Sequence, residues 1–259
     1  MHTILITGAG SGIGKATAIK LSQNPNNRLL LVGRTLEKLN NVLNQLDNSN
    51  NHVACSVDIS RKEELIEFLA SPEANLSVHP LVNVFANAGI GGPNSFGPDD
   101  KWDQIIDINL TGAYNTCMAS FRWLNEAAEK GVAIRNIAIT SSCLARFGVP
   151  GLTAYISSKT AIMGLVRGLA TEWSRGGIMI NAIAPGWVDT EMARESIQGH
   201  ANVLGKTYEE MSKEVCADLP TGRMSTPYEI AVLVDFLFSG AQQSITGTTI
   251  DINNGSWMG

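Results

Sequence analysis

Short apolar runs alternate with segments of helical periodicity almost from one end of this chain to the other. The apolar runs are 3–7, 28–32, 52–57, 81–86, 136–141, 179–184 and 248–252. The helical segments are 15–22, 36–46, 62–70, 102–130, 153–175 and 228–237. Alternation of this kind builds parallel strands joined by crossover helices. The runs are apolar along their whole length rather than at every second residue, so both faces of the sheet must be covered. The expected fold is therefore α/β: a single-domain, doubly wound (Rossmann-like) parallel sheet of seven strands with helices on both faces. It should span 1–259 without a linker, because 24–27, 44–51 and 91–100 read only as turns and loops. A chain of 259 residues can bury one core of that size.

Composition removes several classes of function. Net charge is −5, with no block of Lys and Arg, so nucleic acid is not an expected partner. No apolar run reaches the length of a membrane span. The first predicted strand begins at Thr3, so no targeting segment is expected ahead of it. Cys55, Cys117, Cys143 and Cys216 have no paired spacing and read as buried thiols of a reducing compartment, which gives cytoplasmic as the expected location. His2, His52, His79 and His200 are scattered, and no metal site is expected.

The turn after the first strand reads Thr7-Gly8-Ala9-Gly10-Ser11-Gly12-Ile13-Gly14 and opens a helix. Glycines let a backbone approach a pyrophosphate, and a helix N-terminus offers free N–H groups and a positive dipole end. Gly8, Ser11, Gly12, Ile13 and Gly14 are thus candidate dinucleotide contacts. After the second strand, where an NAD site usually places a carboxylate, stand Gly33 and then Arg34. A guanidinium suits a 2′-phosphate, so NADP is expected rather than NAD. Asp58, the run Asn87-Ala88-Gly89, and the run Pro185, Gly186, Val188 and Thr190 follow three further strands, at the sheet edge where such folds bind ligands.

Tyr155 and Lys159 stand four residues apart on a predicted helix and so share a face. An ammonium beside a phenol favours the phenolate, which would bring an ordinary pKa of about 10 down toward useful acid–base chemistry. Ser142, at the end of the fifth run, can hydrogen-bond a substrate oxygen. Asn109 falls inside a helical pattern, where Asn is disfavoured, and that cost invites a functional reason. On the Tyr155 helix, Ile162, Leu165, Val166, Leu169 and Trp173 make one apolar stripe, and Ala161, Gly164 and Gly168 a second, small one. The small stripe packs either on the sheet or against another subunit.

Together these residues resemble the short-chain dehydrogenase/reductase family, in motif order, from about Thr3 to Gly255. The resemblance implies a tetrad: Tyr155 as acid/base, Ser142 orienting substrate, Lys159 on the nicotinamide ribose and lowering the Tyr pKa, and Asn109 holding a relay water. It also implies a homotetramer, or a dimer, packed partly through the Tyr155 helix. Two positions depart from the family pattern, Ala86 before Asn87 and Ala145 after Ser142, and neither touches a reacting atom. A lid at about 190–220 is expected to cover a small-molecule carbonyl or alcohol substrate. With Thr221-Gly222-Arg223-Met224 it is loosely similar to 3-oxoacyl and polyketide ketoreductases. The leading expectation is a ketone–alcohol oxidoreductase acting on a 3-oxoacyl thioester. The alternatives are a sugar, steroid or other cyclic alcohol dehydrogenase, and a non-catalytic dinucleotide sensor.

Overall fold

The structure is a computed structural model that describes all residues Met1–Gly259. Its elements follow in the order β1 (His2–Thr7), α1 (Gly12–Ser22), β2 (Asn27–Gly33), α2 (Leu36–Leu43), β3 (Val53–Ser56), α3 (Lys62–Ala70) and β4 (Leu81–Ala86). The second half continues with α4 (Trp102–Ile106), α5 (Gly112–Glu129), β5 (Arg135–Thr140), α6 (Thr153–Trp173), β6 (Ile178–Pro185), α7 (Glu191–Leu204), α8 (Tyr208–Ala217), α9 (Pro227–Phe238) and β7 (Thr249–Ile252). The seven strands form one sheet in the order β3-β2-β1-β4-β5-β6-β7, and every pair is parallel.

Each sheet face carries its own core. One holds Leu5, Leu30, Val84, Ile137 and Ile180 against Leu65, Cys117, Ile162, Val166 and Trp173 from α3, α5 and α6. The other holds Ile4, Ile6, Leu29, Phe85 and Ile183 against Leu21, Leu39, Ile230 and Val234 from α1, α2 and α9. Adjacent residues of one strand thus enter opposite cores, which is why the strands show no polar alternation. Strand order reverses between β1 and β4, and at that point the loops leaving the two strands part to form a crevice.

The expected helix 102–130 is continuous but not uniform: a π-helical turn, Asp107–Thr111, separates α4 from α5. Asn109 therefore does not sit in regular α-helix. Its expected mid-helix cost is met by a one-residue widening, a device frequent at functional sites. The lid segment is a pair of helices, α7 and α8, reversed by Gly205 in the left-handed region (φ 66). No helix is long and apolar enough to cross a membrane.

Candidate active site

The turn between β1 and α1 closes on itself more tightly than any side chain allows. Gly8 has φ +67, and a Cβ there would lie 2.8 Å from the Ala88 Cα; a Cβ on Gly14 would fall on the Gly8 carbonyl. The Thr7 hydroxyl accepts from Asn87 N at 3.0 Å and Ala88 N at 3.2 Å, locking the exits of β1 and β4 together. Ser11 occupies the N-cap position of α1 but its side chain makes no capping bond, and it is exposed. The result is a cradle of bare backbone at a helix N-terminus with a free hydroxyl at its rim, which fits a pyrophosphate. Gly14→Ala should cost about 1–3 kcal/mol of overpacking and lower the melting temperature by several degrees. Thermal unfolding and a nucleotide titration would check both, and an unchanged pair would leave Gly14 without this role.

Beyond the end of β2, Arg34 is exposed, enters none of the ion pairs, and stands close enough to Asp58 to influence it. Burial alone would raise the Asp58 carboxyl, but hydrogen bonds from Ser60 with Arg34 and Arg61 hold it below its ordinary value. Asp58 Oδ1 accepts from both Ser60 N and Ser60 Oγ, so much of this residue serves the turn into α3. A Cβ on Gly33 would meet only Leu39, at 3.5 Å, so the position admits a side chain.

At the far end of the crevice, the ends of β4, β5 and α6 meet. Asn87 is spent on structure: its Nδ2 donates to Thr7 O at 3.3 Å and its Oδ1 accepts from Thr140 Oγ1 at 3.1 Å. Lys159 is 4% exposed. Its Nζ donates to Thr140 O at 2.8 Å, while Ser141 Oγ donates to Lys159 O at 2.8 Å, so the end of β5 grips α6 twice. Lys159 Nζ lies 5.7 Å from the centre of the Tyr155 ring. The Asn109 amide spans the loop after β4, with Oδ1 accepting from Ile90 N at 2.8 Å and Nδ2 donating to Ile90 O at 3.0 Å and Ser158 Oγ at 3.1 Å. A Cβ on Gly89 would lie 3.1 Å from Asn109 Oδ1 and 3.4 Å from Lys159 Nζ, so both side chains border that glycine. Ser142 Oγ accepts from Leu144 N at 3.2 Å, closing the turn after β5.

The electrostatics of this cleft differ from the sequence expectation. Burial raises the Tyr155 phenol above its ordinary value, with the neighbouring Ser142 hydroxyl pulling the other way. Burial also brings Lys159 down to about 8. No carboxylate offsets either effect, and desolvation disfavours the charged form of both groups. In the protein alone, then, burial sets the direction for the phenol, which keeps its proton at neutral pH.

Beyond β6, Gly186 N donates to Ile252 O, and a Cβ on Gly186 would come within 2.8 Å of Asn253 O. Pro185 pairs with Ile252 in the sheet, and Val188 bridges to Ser225 and is buried. Thr190 caps α7, its Oγ1 accepting from Ala193 N at 3.3 Å, and its methyl packs beside Gly12. The helix pair α7 and α8 therefore starts against the glycine turn. Met192 then reaches Gly91 on the opposite loop, its Sδ 3.2 Å from where a Cβ would stand. Sequence reading passed over Thr7, Thr140, Ser158 and Ile90, which act through one hydroxyl or through backbone atoms that leave no pattern in a sequence.

A doubly wound parallel sheet with a glycine cradle at the strand reversal and a Tyr–Lys pair beyond it defines a dinucleotide-dependent oxidoreductase. The chain matches the short chain dehydrogenase family over residues 2–201. It is 31% identical, over 97% of its length and 95% of the relative's, to a monensin polyketide synthase putative ketoacyl reductase of Streptomyces virginiae. It is also 31% identical to a 3-oxoacyl-[acyl-carrier-protein] reductase of Rickettsia prowazekii, covering 99% of this chain and 97% of that one. Among solved structures, a variant of an actinorhodin polyketide ketoreductase with NADPH superposes with a TM-score of 0.89 at 25% identity, covering 98% and 97% of the two chains. This protein belongs to the short-chain dehydrogenase/reductase family and is an oxidoreductase that acts between CH–OH and carbonyl groups with a nicotinamide dinucleotide.

Proposed function

We propose that this protein reduces a ketone, a 3-oxoacyl thioester first among them, to a secondary alcohol with NADPH, Tyr155 supplying the proton. The observation that carries the reading is the convergence of Lys159 and Asn109 on Gly89, with the Tyr155 ring centre 5.7 Å from Lys159 Nζ, at the same sheet edge as the glycine cradle. NADPH supplies the hydride. Gly8, Ser11, Gly12, Ile13 and Gly14 would hold its pyrophosphate and Arg34 its 2′-phosphate. Asp58, Ala88 and Gly89 would line the adenosine and ribose path, and Pro185, Gly186, Val188 and Thr190 would border the nicotinamide end. Lys159 would donate to the ribose and Ser142 to the carbonyl oxygen. Tyr155, whose phenol holds its proton at neutral pH, would give that proton to this oxygen as charge develops there. Asn109 holds the loop after β4 in register, and a relay water beside it is part of this reading. A phenol with a raised pKa is in its proton-bearing form at neutral pH, as the acid of a reduction must be.

Substrate charge is the second clue. The lid carries three Lys and Arg residues, Arg194, Lys206 and Lys213. Two of them are tied up, Arg194 by Asp189 and Lys206 by Glu214. The loops that follow β4, β5 and β6 instead expose apolar side chains, Phe96 and Phe147, and Met192 at the start of α7. A neutral carbonyl on an apolar or carrier-borne chain fits them better than a free carboxylate. A panel of 3-oxoacyl thioesters, cyclic ketones and sugars with purified protein, read by absorbance of the reduced nicotinamide, tests the reading. Turnover of cyclic ketones or sugars alone would move the assignment to that class, and no turnover at all would favour a dinucleotide sensor.

Assembly as a homotetramer completes the proposal. A tetramer with dihedral symmetry needs two different self-complementary surfaces. Cβ atoms on Gly164 and Gly168 would meet nothing within 4 Å, so intramolecular packing gives no reason for two mid-helix glycines that each cost about 1 kcal/mol against Ala. On α9, Tyr228, Val232 and Phe236 form an exposed apolar stripe. These two stripes would supply the two surfaces. Because the protomer has room at 168, Gly168→Leu should fold normally yet drop the mass in light scattering by half or more. A wild type that is monomeric at micromolar concentration would sink the idea.

A further inference from the structure

The helix that carries Tyr155 starts without a cap of its own. Its N-cap position is Leu152, whose side chain makes no hydrogen bond there. A helix start leaves N–H groups without partners, and Ser, Thr, Asp or Asn at this position normally takes one of them. Here the missing acceptor comes from far away in sequence. Asn94 Oδ1 accepts from Ala154 N at 2.8 Å. The same residue holds the turn before the helix, since Asn94 N donates to Gly151 O at 2.9 Å.

Asn94 lies in the loop that joins β4 to α4 and borders the cleft. Its Nδ2 donates to Asp100 Oδ1 at 3.3 Å, and that oxygen also accepts from Trp102 N at 3.1 Å, at the start of α4. Only one orientation of the amide serves both partners, because Ala154 offers a donor and the Asp100 carboxylate an acceptor. The loop is thus pinned at Ile90 by Asn109 and at Asn94 by α6, while Gly91, between those pins, meets Met192 of the lid.

We infer that Asn94 is a positioning residue: its amide oxygen sets the first turn of the Tyr155 helix, and its amide nitrogen holds the cleft loop to that helix. The two arms have separable consequences. Loss of the oxygen frees the start of α6 and lets Tyr155 shift, and an ångström's misplacement of a reacting group can cost up to about a hundredfold in rate. Loss of the nitrogen loosens the loop under the lid and weakens substrate binding. The inference rests on the reading of Tyr155 as the proton donor.

The test compares Asn94→Ala, Asn94→Asp and Asp100→Asn in the full-length protein. It reads kcat and KM on the ketone found by the panel, and the Tyr155 phenol titration by NMR of ring-labelled tyrosine, assigned with Tyr155→Phe. Asn94→Ala should lower kcat by roughly ten- to a hundredfold and move the phenol titration down toward the ordinary range as the ring becomes less buried. Asn94→Asp keeps an acceptor for Ala154 N but sets two carboxylates against each other. It should restore kcat and the titration while KM stays raised. Asp100→Asn keeps both of its acceptor bonds and should match wild type. Wild-type kcat and phenol titration in Asn94→Ala, with only the melting temperature lowered, would reduce Asn94 to a loop staple and overturn the inference. So would Asn94→Asp as impaired in kcat as the Ala variant. If Asn94→Ala does not fold, the Asp variant's split between kcat and KM decides alone. If no ketone is turned over, the proposed activity fails, and the NMR titration still reads the oxygen arm.

Discussion

Tyr155→Phe should reduce turnover by roughly 10²–10⁴-fold, the range that positioned proton transfer contributes, while leaving nucleotide affinity close to wild type. The substitution removes one oxygen and keeps a ring that helps fill a buried cleft beside Lys159. Steady-state rates with the best ketone of the panel, together with a nucleotide titration, make the measurement. A Phe variant with near wild-type turnover would take Tyr155 out of the reaction. The pH dependence carries a sign as well. Burial holds the phenol above its ordinary pKa, so the proton needed for reduction is present throughout the neutral range and is lost only on the alkaline side. Lys159 titrates first, near 8. Reductive turnover should therefore begin to fall as pH rises through that region, when the ammonium is lost, and a profile that instead climbs steadily to pH 10 would contradict the assignment of both groups.

Gly33→Asp combined with Arg34→Leu should reverse the nucleotide preference. In the wild type, Arg34 is exposed and in no ion pair, so a 2′-phosphate would not have to displace an existing partner. A hydrogen bond to a charged group is worth about 1.5–3 kcal/mol, or roughly one to two decades of affinity in favour of NADPH. The new carboxylate would repel the phosphate and accept from the ribose hydroxyls. The site has room for it, because the Gly33 position meets only Leu39 at ordinary contact distance. The two changes are adjacent and need not add. Fluorescence titration of both nucleotides in wild type and double variant decides it. Equal or tighter NADH binding by wild type would show that Arg34 does not face the nucleotide.

The stability of the adenosine side depends little on its ion pairs. Lys38 and Glu191 join α2 to the lid at 3.5 Å, but the side chains are 55% and 66% exposed. Such a pair is worth less than about 1 kcal/mol and weakens with salt. The lid is held near the phosphate turn mainly by Thr190 against Gly12 and Met192 against Gly91, which are packing contacts.

Much of the architecture is written locally in the chain. All seven strands appear within a residue or two of the predicted runs, because a strand covered on both faces must be apolar at successive positions. The glycine turn was equally legible, since Gly8 and Gly14 stand where any Cβ would collide. The pairing of Tyr155 with Lys159 follows from the pitch of a helix. These are short-range rules, and a sequence carries them directly.

Other features depend on what folding brings together. The π-helical turn at Asn109 has no periodic signature and exists to aim one amide at Ile90 and Ser158. Helix spacing brings an ammonium beside the Tyr155 phenol, but the desolvation that raises that phenol and lowers Lys159 depends on the folded surroundings. Whether Gly164 and Gly168 face the sheet or solvent was likewise open until the packing of α6 was known. The capping of that helix by Asn94 joins residues 60 positions apart. The sequence alone thus determined the sheet, the glycine turn and the spacing of Tyr155 and Lys159, which rest on local pattern and steric exclusion. The protonation of those side chains and what holds them in place were decided only in the tertiary structure, because desolvation and long-range hydrogen bonds belong to the folded chain.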